Sequence, residues 1–549
     1  MSYTRAQLDT GTLAWALTLT IRGRVYRFAE GALEVDDAGE SLHFHPGLGE
    51  VVYTDRIGLP GEGVDDPAQE IEVFFSDDTA AGWAALAAGD LDLGDASGEL
   101  ALILVGEGWE TREVLLAGTL EATRYGALYE PVGLLLSESP WRPSPRRFPP
   151  DSEGVTPDTW PRAASVGYSV DEGVYGVRYP EVVGAPGFRL PRDTATSYPA
   201  VPVALVEVQG ANNSVDDFVG LIGRGVLACV GVSDSVRVRN LTQGFGGDFT
   251  PTAALDALGQ AVTVVTIPVA TLAVDVGDEL WVSFLIPGQG GRMGPWGGTL
   301  RHAGDVLALY LIESGARVDS LALDAARRWL NGFEIDGYFN EQVDLVDVAL
   351  DDLLPLLPVA LHVGPRGLEL IPWRYDATLA DAVDHLDVDL EGGERDGDVE
   401  RSPGAEVVNH QAVEYAWSDA TGDYHGRLAY IPSQRFADSE LQRNPYARAS
   451  YTRYGEREGV AIQTDLVLDT ATARGILDWR IRWWSQTRET VAFWLPQGRQ
   501  ALRCGGVVSV TCAEISWSRK VCKVTATDRT PGRARIEVVT LPDWVRDGT

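Results

Sequence analysis

Lysine is nearly absent from this chain. Its 549 residues include 80 acidic and 45 basic side chains, which gives a formal net charge of −35. Only Lys520 and Lys523 are lysines, so every other basic residue is an arginine. Nucleic-acid binding needs clustered basic side chains that contact phosphates, so this balance argues against it. Two explanations of the acidity stay open: G+C-rich coding in a saline habitat, or a surface that must not hold nucleic acid.

Cysteine is also scarce. Cys504, Cys512 and Cys522 lie near the C-terminus and Cys229 stands alone, with spacings that match neither CxxC nor a zinc ribbon. Four cysteines in a chain of this length exclude a disulfide scaffold. We expect buried free thiols, with a Cys512–Cys522 bridge or an iron–sulfur site as alternatives.

Long hydrophobic runs and catalytic motifs are missing as well. No apolar run reaches membrane-spanning length, and the first residues, MSYTRAQLDT, lack a signal-peptide pattern. No P-loop, GxSxG elbow or HExxH motif occurs. The 45% hydrophobic content is typical of folded soluble proteins. We therefore expect a soluble, non-enzymatic protein without a cofactor, synthesised in a cytoplasm.

What is present indicates a mainly β, multidomain fold with an α+β middle segment. Short alternating strands separated by turns favour barrels or sandwiches, and the chain is too long for one core. The first hairpin is predicted around the turn Arg22-Gly23-Arg24, and TAAGWAALAAG is predicted as a helix. We expect five segments: a barrel-like 1–140, a Pro-rich linker or arm 141–200, an inserted β domain 201–299, an α+β segment 300–400, and a C-terminal β-barrel with one long helix, 401–549.

The stretch LRHAGDVLALYLIESGARVDSLAL predicts a helical hairpin. The first helix begins near Asp305, and Gly315 is placed to end it in the left-handed conformation. Asp319 or Ser320 can cap the second helix, LALDAARRWLN, which Gly332 is predicted to end in the same way. A third helix over VDLVDVALDDLLPLLP and a tight hairpin, ALHVGPRGLELIPW, follow.

The acidic loop DVDLEGGERDGD has the spacing of a calcium loop. Asp387, Asp389 and Glu391 take positions 1, 3 and 5, and Asp398 takes position 12. The flanks are not helical in pattern, and position 12 is Asp rather than the bidentate Glu. The sequence favours a solvated acidic loop over a calcium site.

The order of elements after residue 300 resembles the middle and second half of phage tail-tip or baseplate hub proteins. The phrases that carry this resemblance are AGDVLALYLIESGARVD, LNGFEIDGYFNEQVDLVDVALDDLLPLLP, HVGPRGLELIPW, VVNHQAVEYAW, ASYTRYGEREG and DTATARGILDW. The resemblance spans roughly residues 300–549. It implies tube-like β-barrel domains and a homotrimer that closes the distal end of the tail tube at the virion tail tip.

The resemblance also implies partners: the distal tail ring protein, the C-terminal end of the tape-measure protein, and tail fibre or spike proteins. It implies host attachment and DNA ejection, with DNA passing through an acidic lumen without specific binding. A receptor- or carbohydrate-binding protein of the tail tip is the alternative function, and a virion-associated glycan hydrolase is the third.

Nine residues are candidates for subunit interfaces or for packing within the chain. In the helical hairpin, apolar residues are predicted to face a barrel, and an Arg-Arg-Trp run is predicted to contact a neighbouring subunit, because interface cores are enriched in Arg and Trp. Two tryptophans of the later helix TARGILDWRIRWWSQ share one face and are predicted as core or interface residues. The candidates are Val306, Leu307, Tyr310, Leu311, Arg327, Arg328, Trp329, Trp479 and Trp483.

Overall fold

The structure is a computed structural model with side chains. It describes residues 5–60, 68–74, 96–124, 132–138, 147–148, 153–160, 175–189, 197–198, 201–209, 217–274, 277–286, 290–339, 343–364, 366–419, 421–431 and 444–541. The predicted mainly β, multidomain class is confirmed. Within these residues, no helix is long and apolar enough to cross a membrane. The helix predicted over TAAGWAALAAG lies outside the described residues.

The first region is a mixed sheet with strand order β3-β4-β2-β1-β7-β8-β9-β6, in which β2 and β4 pair in parallel and all other neighbours pair antiparallel. The elements of this region are α1 (Arg5–Thr10), β1 (Leu13–Ile21), β2 (Arg24–Ala29), β3 (Leu33–Asp37), β4 (Glu40–Pro46), β5 (Tyr53–Arg56), β6 (Ala68–Val73), β7 (Ser97–Leu104), a 3-10 turn (Trp109–Thr111), β8 (Glu113–Arg124) and β9 (Val132–Glu138). Strand β5 is not part of this sheet.

The predicted first hairpin is confirmed, and it starts a sheet that nearly closes. Arg22 and Gly23 have φ angles of 49° and 75°, which suits a tight turn between β1 and β2. The ladders of the described strands do not close into a barrel. Instead, the Gly47 N–H donates to Ala29 O of β2 (3.0 Å) and the Gly49 N–H donates to Glu72 O of β6 (2.8 Å), which brings the two flanks together.

The second region is a β-sandwich of two four-stranded sheets, β14-β21-β17-β18 and β15-β16-β20-β19, around one apolar core. Its elements and the short strands before it are β10 (Arg147–Phe148), β11 (Glu181–Val183), β12 (Phe188–Arg189), β13 (Ser197–Tyr198), β14 (Val201–Pro202), β15 (Ala204–Gln209), β16 (Asp217–Arg224), β17 (Val236–Asn240), β18 (Phe245–Phe249), β19 (Thr252–Leu255), β20 (Ala261–Pro268), α2 (Val269–Leu272) and β21 (Leu280–Phe284).

The segment 141–200, expected as a linker or arm rather than a core, contributes buried residues to this sandwich. Val155, Trp160 and Tyr179 all belong to its apolar cluster. The Trp160 indole N–H donates to the Tyr179 hydroxyl (3.0 Å), which donates to Asp256 of the sandwich (2.7 Å). Proline-rich composition indicated an extended chain, but burial depends on the surface against which that chain lies.

The third region contains the helical hairpin. Its elements are α3 (Ala303–Glu313), α4 (Ser320–Trp329), a 3-10 turn (Leu330–Gly332), β22 (Gly337–Phe339), β23 (Val343–Asp344), α5 (Leu345–Asp347), a π-helical turn (Val348–Leu353), a 3-10 turn (Leu354–Leu356), β24 (Val359–Gly364) and β25 (Gly367–Pro372).

The predicted capping of the hairpin is mostly confirmed. Gly315 is left-handed (φ 83°), and Asp319 rather than Ser320 is the N-cap of α4, accepting from the Leu321 and Ala322 N–H groups. The left-handed ending predicted for Gly332 is wrong, because Gly332 closes a 3-10 turn and is not among the positive-φ glycines. The predicted third helix forms as one helical stretch whose middle turn is π-helical.

The last region is a large sheet with a smaller one and two helices. Its elements are a 3-10 turn (Leu379–Asp381), β26 (Asp384–Asp387), β27 (Glu394–Arg401), a 3-10 turn (Gly404–Glu406), β28 (Gln411–Ser418), β29 (Asp423–Tyr430), α6 (Pro445–Tyr454), β30 (Ile462–Gln463), α7 (Thr470–Trp484), β31 (Glu489–Pro496), a 3-10 turn (Gln497–Ala501), β32 (Val507–Cys512), a 3-10 turn (Ala513–Ile515), β33 (Trp517–Thr530) and β34 (Arg533–Thr540).

Strand β5 connects the two ends of the chain. It belongs to the N-terminal region but pairs antiparallel with β33 of the C-terminal sheet β26-β32-β33-β34-β31-β27. Near it, the Gln497 side-chain amide donates to Leu8 O and Gly11 O, both at 2.9 Å. The N-terminal and C-terminal regions are therefore joined by a shared β-ladder as well as by side-chain contacts.

Candidate interaction surface

The four apolar candidates of α3 pack inside the chain. Val306, Leu307, Tyr310 and Leu311 are between 0% and 1% exposed and belong to one large core with β24, β25 and α7. They face other elements of the third and fourth regions, so burying them stabilises this chain itself.

The two tryptophans of α7 have the same role. Trp479 and Trp483 are both 0% exposed. The Trp479 indole N–H donates to Leu356 O (2.9 Å), and Trp483 packs edge-on against Trp373 with ring centroids 5.0 Å apart. An indole that is fully enclosed in this way does not offer a platform to a sugar ring.

The Arg-Arg-Trp run of α4 lies on the outside of the molecule. Arg328 is exposed, while Arg327 and Trp329 are half-buried. The Arg327 guanidinium stacks 3.7 Å from the centre of the Trp296 ring and donates to Asp305 (2.7 Å). The Trp329 indole N–H donates to Pro358 O (3.0 Å), so its ring is fixed in position.

Trp329 belongs to a continuous row of stacked aromatic and arginine side chains. Its ring centre lies 6.1 Å from that of Tyr375, and the Arg374 guanidinium lies 5.2 Å from it. The Arg482 guanidinium then stacks on both Tyr375 (5.7 Å) and Tyr446 (4.7 Å). We call these five residues the arginine–aromatic strip. Stacked, half-buried Arg, Trp and Tyr side chains are the type that contributes most to binding at protein interfaces.

An open groove runs along the α4 end of this strip. It has a volume of about 510 Å³. We call it the α4 groove. Its lining residues are Ala325, Arg328, Trp329, Ile371, Pro372, Arg374, Asp381, Val383, Gly505, Gly506 and Val507. Most of this lining is apolar, and Val383 is 71% exposed, so the groove leaves apolar surface in contact with water.

Three charged side chains line the groove: Arg328, Arg374 and Asp381. Arg374 is paired with Asp376 (3.2 Å) and with Asp381 (3.1 Å), whereas Arg328 is exposed on the outer face of α4. Behind the groove wall, the Lys523 ammonium donates to Pro372 O (2.9 Å), and burial lowers the pKa of Lys523 to about 7. A mostly apolar lining with the exposed guanidinium of Arg328 beside it suits a segment that carries an apolar side chain next to a carboxylate.

The carboxylates of the calcium-like loop point in different directions. Asp387 accepts from the Leu390 N–H (3.1 Å), and Asp389 accepts from the Ala513 N–H (2.8 Å). Glu391 binds Arg499 (2.7 Å), while the Asp398 side chain is fully exposed. Among the described residues, no group of three or more acidic, histidine or cysteine side chains is arranged to hold a metal ion. The four cysteines are free and buried, as predicted.

Sequence reasoning singled out Arg327, Arg328 and Trp329 as surface anchors, but it missed the four strip residues other than Trp329. Arg374 and Tyr375 follow directly after the predicted hairpin, and Arg482 lies in the predicted helix α7. The sequence feature that could have indicated them is the repeated occurrence of Arg next to aromatic residues, in WRY and in RIRWW. That pattern shows enrichment, but only the tertiary structure, in which Tyr375 lies between Trp329 and Arg482, shows that the residues form one row.

Residues 350–526 match a protein family described as "Putative phage tail protein". No curated protein matches the chain. The chain is also similar to a protein of the virion of a native gene transfer agent particle, at 14% identity and a TM-score of 0.40, covering 67% of this chain and 85% of that one.

Two prophage tail proteins show weaker likeness. The 43 kDa tail protein of prophage MuSo2 from Shewanella oneidensis has 10% identity, a TM-score of 0.31, and coverage of 96% of this chain and 99% of that one. Prophage tail protein gp18 from Listeria monocytogenes EGD-e has 10% identity, a TM-score of 0.26, and coverage of 60% and 86%. These TM-scores are too low to establish a shared fold. The family match confirms the resemblance to phage tail proteins inferred from the sequence, and it lies within the 300–549 region that carries that resemblance.

Proposed function

We propose that this chain is the homotrimeric hub that closes the distal end of a tail tube. In this role it connects the tube and its distal ring to the tape-measure protein above and to fibre or spike proteins below. The observation that carries the proposal is the phage tail family match over residues 350–526, which falls inside the segment whose order of elements resembles hub proteins. We propose accordingly a structural role in the virion tail rather than a catalytic one.

The arginine–aromatic strip supports a role in assembly. Arg374, Tyr375, Tyr446 and Arg482 all lie within the family-matched residues. Half-buried guanidinium and aromatic groups lose little conformational freedom on binding, because stacking already restrains them. A surface of this kind suits a protein that functions by contacting other subunits.

The charge of the chain suits a tube through which DNA passes. DNA carries about one negative charge per 1.7 Å of helix axis, so a carboxylate-lined lumen repels it. Of the two lysines, Lys523 is fully buried, so it offers no contact to a phosphate. Acidic subunits also repel one another at low ionic strength, where the Debye length is long.

The test is the mass of the purified full-length protein by light scattering, in low and in high salt. A mass of three times 59.3 kDa, at least in high salt, is expected for the hub. A monomer in both conditions would contradict the trimer and favour a binding protein that acts alone. Imaging of the trimer by electron microscopy then distinguishes a ring with a central opening from a compact assembly.

A further inference from the structure

The α4 groove and the acidic loop lie at opposite ends of the same strand. Gly505, Gly506 and Val507, at the start of β32, line the groove. Ala513, immediately after the end of β32, donates its N–H to Asp389 of the loop (2.8 Å). At about 3.3 Å per residue, the two sites are separated by about 20 Å along the strand.

The tip of the loop carries an exposed apolar side chain next to acids. Leu390 is 85% exposed, among the most exposed large apolar side chains of the described residues. Asp389 beside it and Glu394 four residues later are also exposed. The loop is held in this form because Asp387 accepts from the Leu390 N–H and Glu391 binds Arg499. The result is a fixed turn that presents one leucine in a negatively charged surrounding.

The α4 groove offers a surface that can receive the leucine at the tip of the loop. Its lining combines the apolar residues Ile371, Pro372 and Val507 with Arg328 and with the paired Arg374 and Asp381. A leucine entering the groove removes its own surface and that of Val383 from water, while the carboxylate of Asp389 beside it can approach the exposed guanidinium of Arg328.

A chain cannot insert its own loop into its own groove. The backbone N–H of Ala513 and the side chain of Arg499 hold the loop at the far end of β32. We propose that the acidic loop 387–398 of one copy docks into the α4 groove of a neighbouring copy, with Leu390 as the apolar anchor. The inference rests on the proposed trimeric hub and specifies which surfaces join its subunits.

The contact is head-to-tail, because it uses two different surfaces of the same chain. Each copy then supplies one loop and one groove, and repetition of such a contact closes a ring when the rotation between copies allows it. In a trimer every groove is filled and every Leu390 is covered. This accounts for the exposure of both surfaces in a single chain.

Disulfide crosslinking of the full-length double variant L390C/V383C tests the contact. Both positions are exposed and the four native cysteines are buried, so new thiols react without competition. Under mild oxidation we expect covalent dimers and trimers on a non-reducing gel. The matched control is V460C/V383C, since Val460 is 91% exposed but lies outside the loop. It is expected to give at least tenfold less crosslinked product.

Light scattering on the same samples separates this inference from the proposed function. A trimer that does not crosslink through L390C/V383C overturns the docking contact and leaves the hub proposal standing. A monomer overturns both. Crosslinking of L390C alone would indicate a symmetric contact between two loops, which also overturns the head-to-tail arrangement.

A charge variant gives an independent readout. L390D is expected to raise the trimer dissociation constant at least tenfold, because it places a carboxylate against the apolar bed. V460D is the matched control and is expected to leave the constant unchanged. Equal effects of the two variants, or no effect of L390D, would overturn the inference.

Discussion

Two buried clusters of charged side chains join the regions of this molecule, and they differ in the type of cation that each contains. The central junction lies among β5, β8, β24, β25 and β33. In it, His362 binds Asp55 through Nε2 and Glu369 through Nδ1 (3.2 Å), and Arg529 binds Glu113 (3.1 Å). It links the first sheet, the third region and the C-terminal sheet around one small cleft.

The second cluster, the sandwich junction, connects the β-sandwich to α3. Arg292 binds Glu181 (2.9 Å) and Glu313 (2.9 Å), while Arg224 binds Glu153 and lies 3.7 Å from Glu181. Burial raises the pKa of Glu181, and the two arginines oppose that rise. Every cation in these ion pairs is a guanidinium, which stays protonated at all pH values in ordinary use.

The central junction instead contains an imidazole. Burial by itself lowers the pKa of His362, but the adjacent Asp55 carboxylate outweighs it, and the pKa of His362 is raised to about 10. The same pair lowers the pKa of Asp55 against the opposing effect of burial. Two clusters that serve the same structural purpose therefore respond differently to pH, because one uses histidine and the other only arginine.

The largest expected effect comes from removing one buried arginine in each junction. R529M removes the guanidinium 3.1 Å from Glu113, whose side chain is 7% exposed, and leaves the half-exposed Arg503 at 3.6 Å. We expect a loss of about 3–5 kcal/mol in the free energy of unfolding, the usual cost of an uncompensated buried charge. R292M, which leaves Glu181 with Arg224, should cost less. Urea denaturation followed by tryptophan fluorescence measures both.

The double variant R529M/E113M is the control for that comparison. Replacing both partners by apolar side chains should recover most of the lost stability, because no buried charge remains unpaired. A single variant R529M that unfolds within about 1 kcal/mol of the original protein would show that water reaches Glu113 and that the cluster is not sealed.

A pH series distinguishes the junctions more finely. The pKa of His362 is raised in the folded state, so its stabilisation is present below pH 6.5 and is lost as the pH rises toward 10. Lys523 acts in the opposite direction: its folded pKa of about 7 lies below its unfolded value of 10.5, so it favours folding increasingly as the pH rises through this range. Each contribution is worth up to ~1.4 kcal/mol per pH unit.

Between pH 7 and 8.5 these two contributions should largely cancel in the original protein. H362Q is then expected to gain stability with rising pH, and K523M is expected to lose it. R292M should lose stability with rising pH relative to the original protein, because without Arg292 the pKa of the buried Glu181 rises further. Identical pH profiles for H362Q and K523M would contradict the assignment of opposite protonation changes.

The smallest expected effect concerns the helix caps. Asp319 caps α4, its N–H donates to Leu368 O beside the central junction (2.9 Å), and its second oxygen binds Arg366 (2.7 Å). Asp469 caps α7 in the same way, accepting from the Ala471 and Thr472 N–H groups. We expect D469A to cost about 1 kcal/mol and D319A somewhat more, since Asp319 is 4% exposed. D319N and D469N, which keep a capping oxygen, are the controls in thermal unfolding.

The sequence by itself determined the local structure of this protein. The turn after Ile21, the left-handed Gly315, the N-cap Asp319 and the buried cysteines were all predictable. Capping, turn formation and amphipathic periodicity depend on side chains a few residues apart, so their physics can be evaluated without knowing the fold. The Arg-Arg-Trp run of α4 was predicted as an anchor for the same reason of local composition.

Only the tertiary structure decided which distant segments meet. It paired β5 with β33, buried Trp160 and Tyr179 of the expected arm in the sandwich, and aligned Arg374 and Arg482 into one strip. It also set the acidic loop and the α4 groove at opposite ends of β32. Such contacts depend on strand register and on the complementarity of whole surfaces, which many segments of similar composition satisfy equally well until the chain is folded.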